Sequence, residues 1–228
     1  MHITIVSIFP ELFESFLATS LLQKAQKSQI LTFELVNPRD FCSDKHQQVD
    51  DQVYGNGKGM LLKAQPLIDA VEAVIQKYAL QESDFSLLFP APAQEVFSQK
   101  IAYGLSKKEH LIIVCGRYEG IDHRFDLYFQ QKYPQAFRRL SLGSFVLLGG
   151  EVASMVMIEA ITRLIPGVIK EKQSWIEESY ALQEGMKNLE APNYTRPEEV
   201  YGMRVPEVLL KGDKAAVDAW KNEHTIRI

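Results

Sequence analysis

LIIVCGRYEG, residues 111–120, decides the fold. Its first five residues are apolar without a break and stop at Gly116. A short apolar run closed by glycine reads as a strand buried on both faces, as strands of parallel sheets are. The same grammar repeats outward. Upstream, residues 85–89 are strand-like and 96–105 helical; downstream, 137–142 reads as a strand and 149–164 as a long helix carrying Val152, Met155, Ile158 and Leu164. Further out, the β-branched run 3–8 predicts a strand bounded by Pro10. That proline opens a helix with Glu11 in its first turn, where the helix dipole favours an acid. Leu12, Phe13, Phe16, Leu17 and Leu21 follow at helical spacing, and the alternation of Leu31, Phe33 and Leu35 predicts a strand over 31–36. Another helix opens at Pro66 and carries Leu67, Ala70, Val71, Val74 and Ile75. Residues 37–59 read as a polar loop without periodicity. Alternating strands and helices predict an α/β fold: a mostly parallel sheet with helices on both faces.

The chain has 228 residues, enough for one large domain and a small appendage. The large domain is placed at 1–165. A polar stretch with few apolar anchors, 166–192, is the linker, and 193–228 is a small helical C-terminal domain whose helix starts after Asp213 and carries Ala216, Val217 and Trp220. No apolar run reaches the roughly 18–20 residues needed to span a bilayer. The first residues lack the basic and small-residue features of a signal peptide. Two cysteines, Cys42 and Cys115, outside any CxxC pattern, fit a reduced cytoplasmic protein without structural zinc. The net charge of −4 argues against a nonspecific nucleic-acid binder, while leaving room for a local basic patch.

Motif absences narrow the chemistry. The sequence holds no GxxxxGK[ST], GxGxxG, GxSxG or HExxH, and its five histidines are scattered, so no metal site is expected. What it holds instead is three glycine-rich segments: GNGKGM (55–60), CGRYEG (115–120) and LGSFVLLGGE (142–151). A turn accounts for any one of them. Three in one chain, two of them flanking predicted strands and helices, place a ligand at the carboxyl edge of the sheet, where α/β proteins bind their ligands.

These segments carry a resemblance. SIFPELF (7–13), PRDF (38–41), VDDQVYGNGKGM (49–60), CGRYEGID (115–122) and SLGSFVLLGGE (141–151) are similar to segments of the bacterial tRNA (guanine-N1)-methyltransferases of the SPOUT superfamily. So are IPGV (165–168), NYTRPE (193–198) and VPEVLLKGD (205–213), and all occur in the family's order over nearly the whole chain. The resemblance implies a trefoil-knotted SPOUT domain with a small helical C-terminal domain. It implies S-adenosyl-L-methionine as cofactor and N1 of the guanosine at tRNA position 37 as target. It also implies a cytoplasmic homodimer, not membrane-bound, with the active site at the subunit interface. The cofactor would lie against Phe89, Pro90, Ala91 and Pro92, against Gly116, Tyr118, Glu119 and Gly120, and against Leu142, Gly143, Ser144, Phe145, Val146, Leu147, Gly149 and Gly150. Asp50, Gly57, Gly59, Met60 and Ser174 would face the target nucleotide.

The catalytic pair implied by the resemblance is Glu178, as the base for the N1 proton, and Arg163, stabilising the purine anion. The family has aspartate where this chain has Glu178. Other departures are Asn56 and Lys58 in the first glycine segment, Arg138 and Arg139 in place of an acidic run, and Asn193 in place of a histidine. The chain ends at Ile228, before the family's usual basic C-terminal helix, and Arg138 and Arg139 are candidates to replace part of its charge. The departures keep two alternatives in view: a SPOUT methyltransferase with a different RNA target, and a catalytically impaired homologue that binds cofactor or RNA.

Overall fold

The computed structural model of the protein describes residues 1–55, 57–169, 179–180 and 188–227. Contacts divide the chain into two compact units, Met1–Lys170 and Glu171–Ile228.

The first unit is built on five parallel strands. They are β1 (His2–Val6), β2 (Thr32–Val36), β5 (Phe85–Pro90), β6 (His110–Val114) and β7 (Phe137–Leu140), ordered β2-β1-β6-β5-β7. The 111–115 run thus lies at the centre of the sheet. In register, Ile3 pairs with Leu111 on one side, and Leu87 pairs with Ile112 on the other. Each residue of β5 and β6 is buried, which explains why neither shows an alternating pattern.

Helices cover both faces. Helix α3 (Ala64–Lys77) and α5 (Arg124–Lys132) pack on one face, where Val71, Val74, Phe125 and Phe129 meet Val6, Phe85, Leu87, Phe89, Ile112 and Val114. Helices α4 (Gln99–Leu105) and α6 (Gly150–Thr162) pair with each other, and α6 packs on β5. Fully burying a side chain such as Phe125 contributes about 1.5–3 kcal/mol; its ring also makes edge contacts with Phe89 and Phe129.

Three regions differ from expectation. The helix predicted after Pro10 is broken into a 3-10 turn (Pro10–Phe13), a single turn α1 (Glu14–Leu17) and α2 (Ser20–Lys27). The segment read as a loop over 37–59 holds a 3-10 turn (Pro38–Phe41) and strand β3 (Asp50–Gln52), which pairs antiparallel with β4 (Met60–Leu62). Helix α5 was not expected at all. It buries two phenylalanines one turn apart, Phe125 and Phe129, while its Leu127 is exposed.

The second unit contains α7 (Glu207–Leu210) and α8 (Lys214–His224) with three two-residue strand segments, Asn188–Leu189, Glu199–Val200 and Met203–Arg204. A fourth, Ile226–Arg227, pairs with Asn188–Leu189 inside the stretch expected to be linker. Asp213 caps α8 as its sequence position predicts, its carboxylate accepting from Ala215 N at 3.0 Å and Ala216 N at 3.3 Å.

Candidate active site

The carboxyl ends of β5, β6 and β7 send three loops to one place. They enclose a cavity of about 210 Å³. Backbone bonds fix the loops to one another: Ala91 N donates to Leu140 O at 3.0 Å, Phe97 N to Ser141 O at 2.7 Å, and Gly150 N to Gly116 O at 2.8 Å. The last bond brings the first turn of α6 onto the end of β6. A methyl group on Gly150 would lie 2.9 Å from Gly116 N and 3.0 Å from Cys115 Cα. Only glycine allows that approach.

Of the residues expected to hold the cofactor, Gly143 and Ser144 alone lie outside the cavity lining. Gly143 forms the turn behind it, bonded through both its N–H and its carbonyl to Ser141 Oγ. The cavity also takes in Arg117, Leu140, Ser141, Leu148 and Ala153, which sequence reasoning missed. Arg117 and Leu148 stand inside the glycine-rich segments, so their neighbours already marked them.

The wall is mainly apolar, and Arg117 and Glu119 are its charged members. Around the mouth, Val146 and Leu148 are 84% and 92% exposed. Behind the wall, Glu151 is sealed from solvent and accepts from Arg117 Nε at 2.8 Å and from Ser7 Oγ at 2.9 Å. Cys115 sits beside this carboxylate, with its sulfur 3.2 Å from Ser154 Oγ. Burial, and then the Glu151 charge, push its thiol well above the ordinary range, so it stays protonated at neutral pH.

The β3–β4 hairpin is tied to the second of the three loops. Glu119 N donates to Met60 O at 3.0 Å, Leu62 N to Gly120 O at 3.0 Å, and Asp122 N to Leu62 O at 2.9 Å. Asp50, Met60 and the turn residues Gly57 and Gly59 are thereby grouped on the hairpin next to the cavity loops; Asp50 is paired in register with Leu62. An open cleft of about 700 Å³ runs beside it, lined by Asp51, Tyr54, Lys63, Asp122 and Arg124 among others. Hydrogen bonds from Arg124 hold the Asp122 carboxyl below its usual range despite partial burial.

Arg163 is not at the cavity. It caps the carboxyl end of α6, whereas Gly150 begins that helix at the cavity wall. At 1.5 Å per residue the two ends are roughly 20 Å apart. Glu178 and Ser174 lie outside the described residues. Arg138 and Arg139 do not form an unengaged basic patch: Arg138 pairs with Glu95, and Arg139 lies 3.8 Å from Asp126 and over the Phe89 ring.

At the opposite edge of the sheet, His2 and His110 begin β1 and β6 with ring centroids 4.5 Å apart. Burial, then the neighbouring His2, depress the His110 pKa to about 4. The described residues contain no His, Cys, Asp or Glu group able to hold a metal ion, and no helix among them is long and apolar enough to cross a membrane.

Known proteins are similar to the chain over its whole length. A family model described as tRNA (Guanine-1)-methyltransferase TrmD matches residues 1–228. Proteins named tRNA (guanine-N(1)-)-methyltransferase are similar over the same span. That of Carboxydothermus hydrogenoformans is 42% identical over 226 residues, covering 99% of this chain and 83% of the relative. That of Bacillus subtilis is 41% identical over 227 residues, covering 100% and 88%. That of Clostridioides difficile is 38% identical over 229 residues, covering 100% and 94%.

Proposed function

Because the chain belongs to the tRNA (guanine-1)-methyltransferase family, we propose that it transfers a methyl group from S-adenosyl-L-methionine to N1 of the guanosine at tRNA position 37. The observation that carries this reading is the cavity formed by the three loops. A methyltransferase needs a methyl donor, and this cavity suits S-adenosyl-L-methionine. That molecule has no phosphates and asks for no phosphate loop; it asks for an apolar slot with backbone groups at its edge. Phe89, Pro90, Pro92, Leu142 and Leu147, with glycines that admit the main chain, supply both. When bound, the cofactor supplies an electrophilic methyl on a sulfonium, and the chain's own part is to orient the guanine and move its proton.

The carboxylate of Glu178 accepts the N1 proton, which leaves the nitrogen's electron pair free to take the methyl group. Arg163 hydrogen-bonds the purine carbonyl and stabilises the negative charge that grows there. The hairpin with Asp50, Gly57, Gly59 and Met60, together with Ser174, holds the nucleotide. A trefoil knot threads the three loops in this reading.

The reading includes a homodimer with the active site at the subunit interface. One support is the separation of Arg163 from the cavity within a single chain, which a second copy bridges by bringing its own helix end. Another is the apolar surface beside the cavity, where Leu148, Val152 and Val156 are exposed, the last two one helical turn apart. The altered glycine segment gives no reason to prefer a different RNA target, because the hairpin still joins the second cavity loop. The test is methyl incorporation from labelled S-adenosyl-L-methionine into an unmodified tRNA transcript. Incorporation is expected with guanosine at position 37, and its equal occurrence with adenosine there would overturn the target.

A further inference from the structure

The SIFPELF segment lines no part of the cavity, and neither does Glu151. The structure joins them. Phe9 N donates to Ser7 Oγ at 3.1 Å, Ser7 Oγ donates to Glu151 Oε1 at 2.9 Å, and Arg117 Nε donates to Glu151 Oε2 at 2.8 Å. The guanidinium of Arg117 then lies over the Phe9 ring, 4.9 Å from its centroid, which closes a circuit. It draws together the end of β1, the loop after β6 and the first turn of α6.

Two further features show how tightly the circuit is drawn. A methyl group on Gly149 would lie 2.4 Å from Arg117 Nε and 2.7 Å from Glu151 Oε2, so the backbone runs directly against the ion pair. The pair is also asymmetric in exposure: the Glu151 side chain is 1% exposed and that of Arg117, on the cavity wall, 24%.

A buried carboxylate is costly unless it is paired, and replacing such a pair with apolar groups of similar volume is often neutral or stabilising. Stability alone therefore does not call for Glu151. Orientation does. A guanidinium fixed at Nε by one carboxylate and faced by one aromatic ring has a single plane available, and the planar fork of arginine makes that plane matter. We infer that Glu151 is a positioning residue for the cofactor cavity: through Arg117, and with Ser7 as its second anchor, it sets the wall on which the second and third loops meet. The inference rests on the cavity being the cofactor site.

The test uses the full-length protein and calorimetric titration with S-adenosyl-L-methionine and its demethylated product, with thermal unfolding measured in parallel. Glu151→Gln keeps the shape and turns its amide oxygen toward Arg117, but it removes the charge. Cofactor affinity should fall roughly 10–100-fold, the span of a hydrogen bond to a charged group, while the tRNA KM at saturating cofactor stays within about twofold. Ser7→Ala should move affinity the same way by a smaller factor. The double variant Glu151→Leu with Arg117→Leu separates positioning from structure: it should regain thermal stability relative to Glu151→Leu, yet bind cofactor no better than Arg117→Leu alone. Wild-type affinity in Glu151→Gln, or full addition of the two single losses in the double variant, would overturn the inference while leaving the cavity's assignment intact. Failure of the wild-type protein to bind either molecule would overturn both.

Discussion

Replacing Gly150 by alanine tests the geometry on which the cavity depends. The added methyl would lie 2.9 Å from Gly116 N, 3.0 Å from Cys115 Cα and 3.3 Å from Cys115 carbonyl carbon, where ordinary contact begins at 3.4 Å. The worst contact is therefore short by about half an ångström, and all three atoms are backbone, so no side chain can rotate away. These atoms are also held in place: Cys115 N donates to Val6 O at 2.9 Å, and Gly116 O accepts from Gly150 N itself at 2.8 Å. Relief requires the first turn of α6 to lift off the end of β6. Overpacking of this kind costs about 1–3 kcal/mol. At about 2–4 °C per kcal/mol for a chain of this size, the melting temperature should fall by about 2–12 °C. The lifted turn carries the wall of the cavity, so the stabilisation by S-adenosyl-L-methionine should shrink as well. In the wild type a bound cofactor should contribute about 2.7 kcal/mol at a hundredfold excess over Kd. Gly104→Ala is the matched control. It lies in α4 with nothing within 4 Å of the added methyl, and it should stabilise by about 0.5–1 kcal/mol. Differential scanning calorimetry with and without cofactor reads both variants. A Gly150→Ala protein that melts no lower than wild type and keeps the full cofactor shift would refute the reasoning.

Three further outcomes are expected. His110 takes up its proton near pH 4 in the folded chain and near 6.5 when unfolded, so the unfolded chain binds that proton first. Stability should be complete above about pH 6.5 and decline as pH falls toward 4, by on the order of 1–3 kcal/mol. Denaturant midpoints at several pH values check this, and a midpoint that rises on acidification contradicts it. Arg163→Ala should lower turnover roughly 100–1,000-fold, the range for losing one donor to a developing anion, with cofactor affinity unchanged by calorimetry; equal losses in both would make Arg163 a structural residue. Light scattering at micromolar concentration should give the mass of two chains, and an active monomer would remove the interface from the account.

The sheet was legible because its strands are unbroken apolar runs. Leucine, isoleucine and valine at 111–114 can hardly be exposed, and the strand they form is the sheet's centre. Strand order was not legible, since nothing local to 110–114 says that β6 inserts between β1 and β5. Helix α5 escaped notice because its buried anchors are two phenylalanines, Phe125 and Phe129, with the exposed Leu127 between them, which leaves no clear period to read. The β3–β4 hairpin escaped because three-residue strands in a glycine-rich segment have no pattern to read; tertiary bonds to Glu119 and Gly120 hold it. The expected start of α4 near residue 96 was early: Ser98 is the cap, its Oγ accepting from Ile101 N at 3.4 Å. At the site, the segments 116–120 and 142–150 meet at one cavity, whereas 55–60 does not line it and Arg163 lies away from it. The Ser7–Glu151 link, between residues 144 positions apart, has no local sequence signal.

The central claim is that this chain methylates guanine N1 in tRNA with Glu178 as the base. Mass spectrometry of nucleosides from a guanosine-37 transcript, after incubation with S-adenosyl-L-methionine, measures it most directly. The wild-type protein should yield 1-methylguanosine at that position, and Glu178→Gln should yield it roughly 100–10,000-fold more slowly, the span for removal of a general base. A methyl group on another atom or nucleotide, or wild-type yield from Glu178→Gln, would contradict the account.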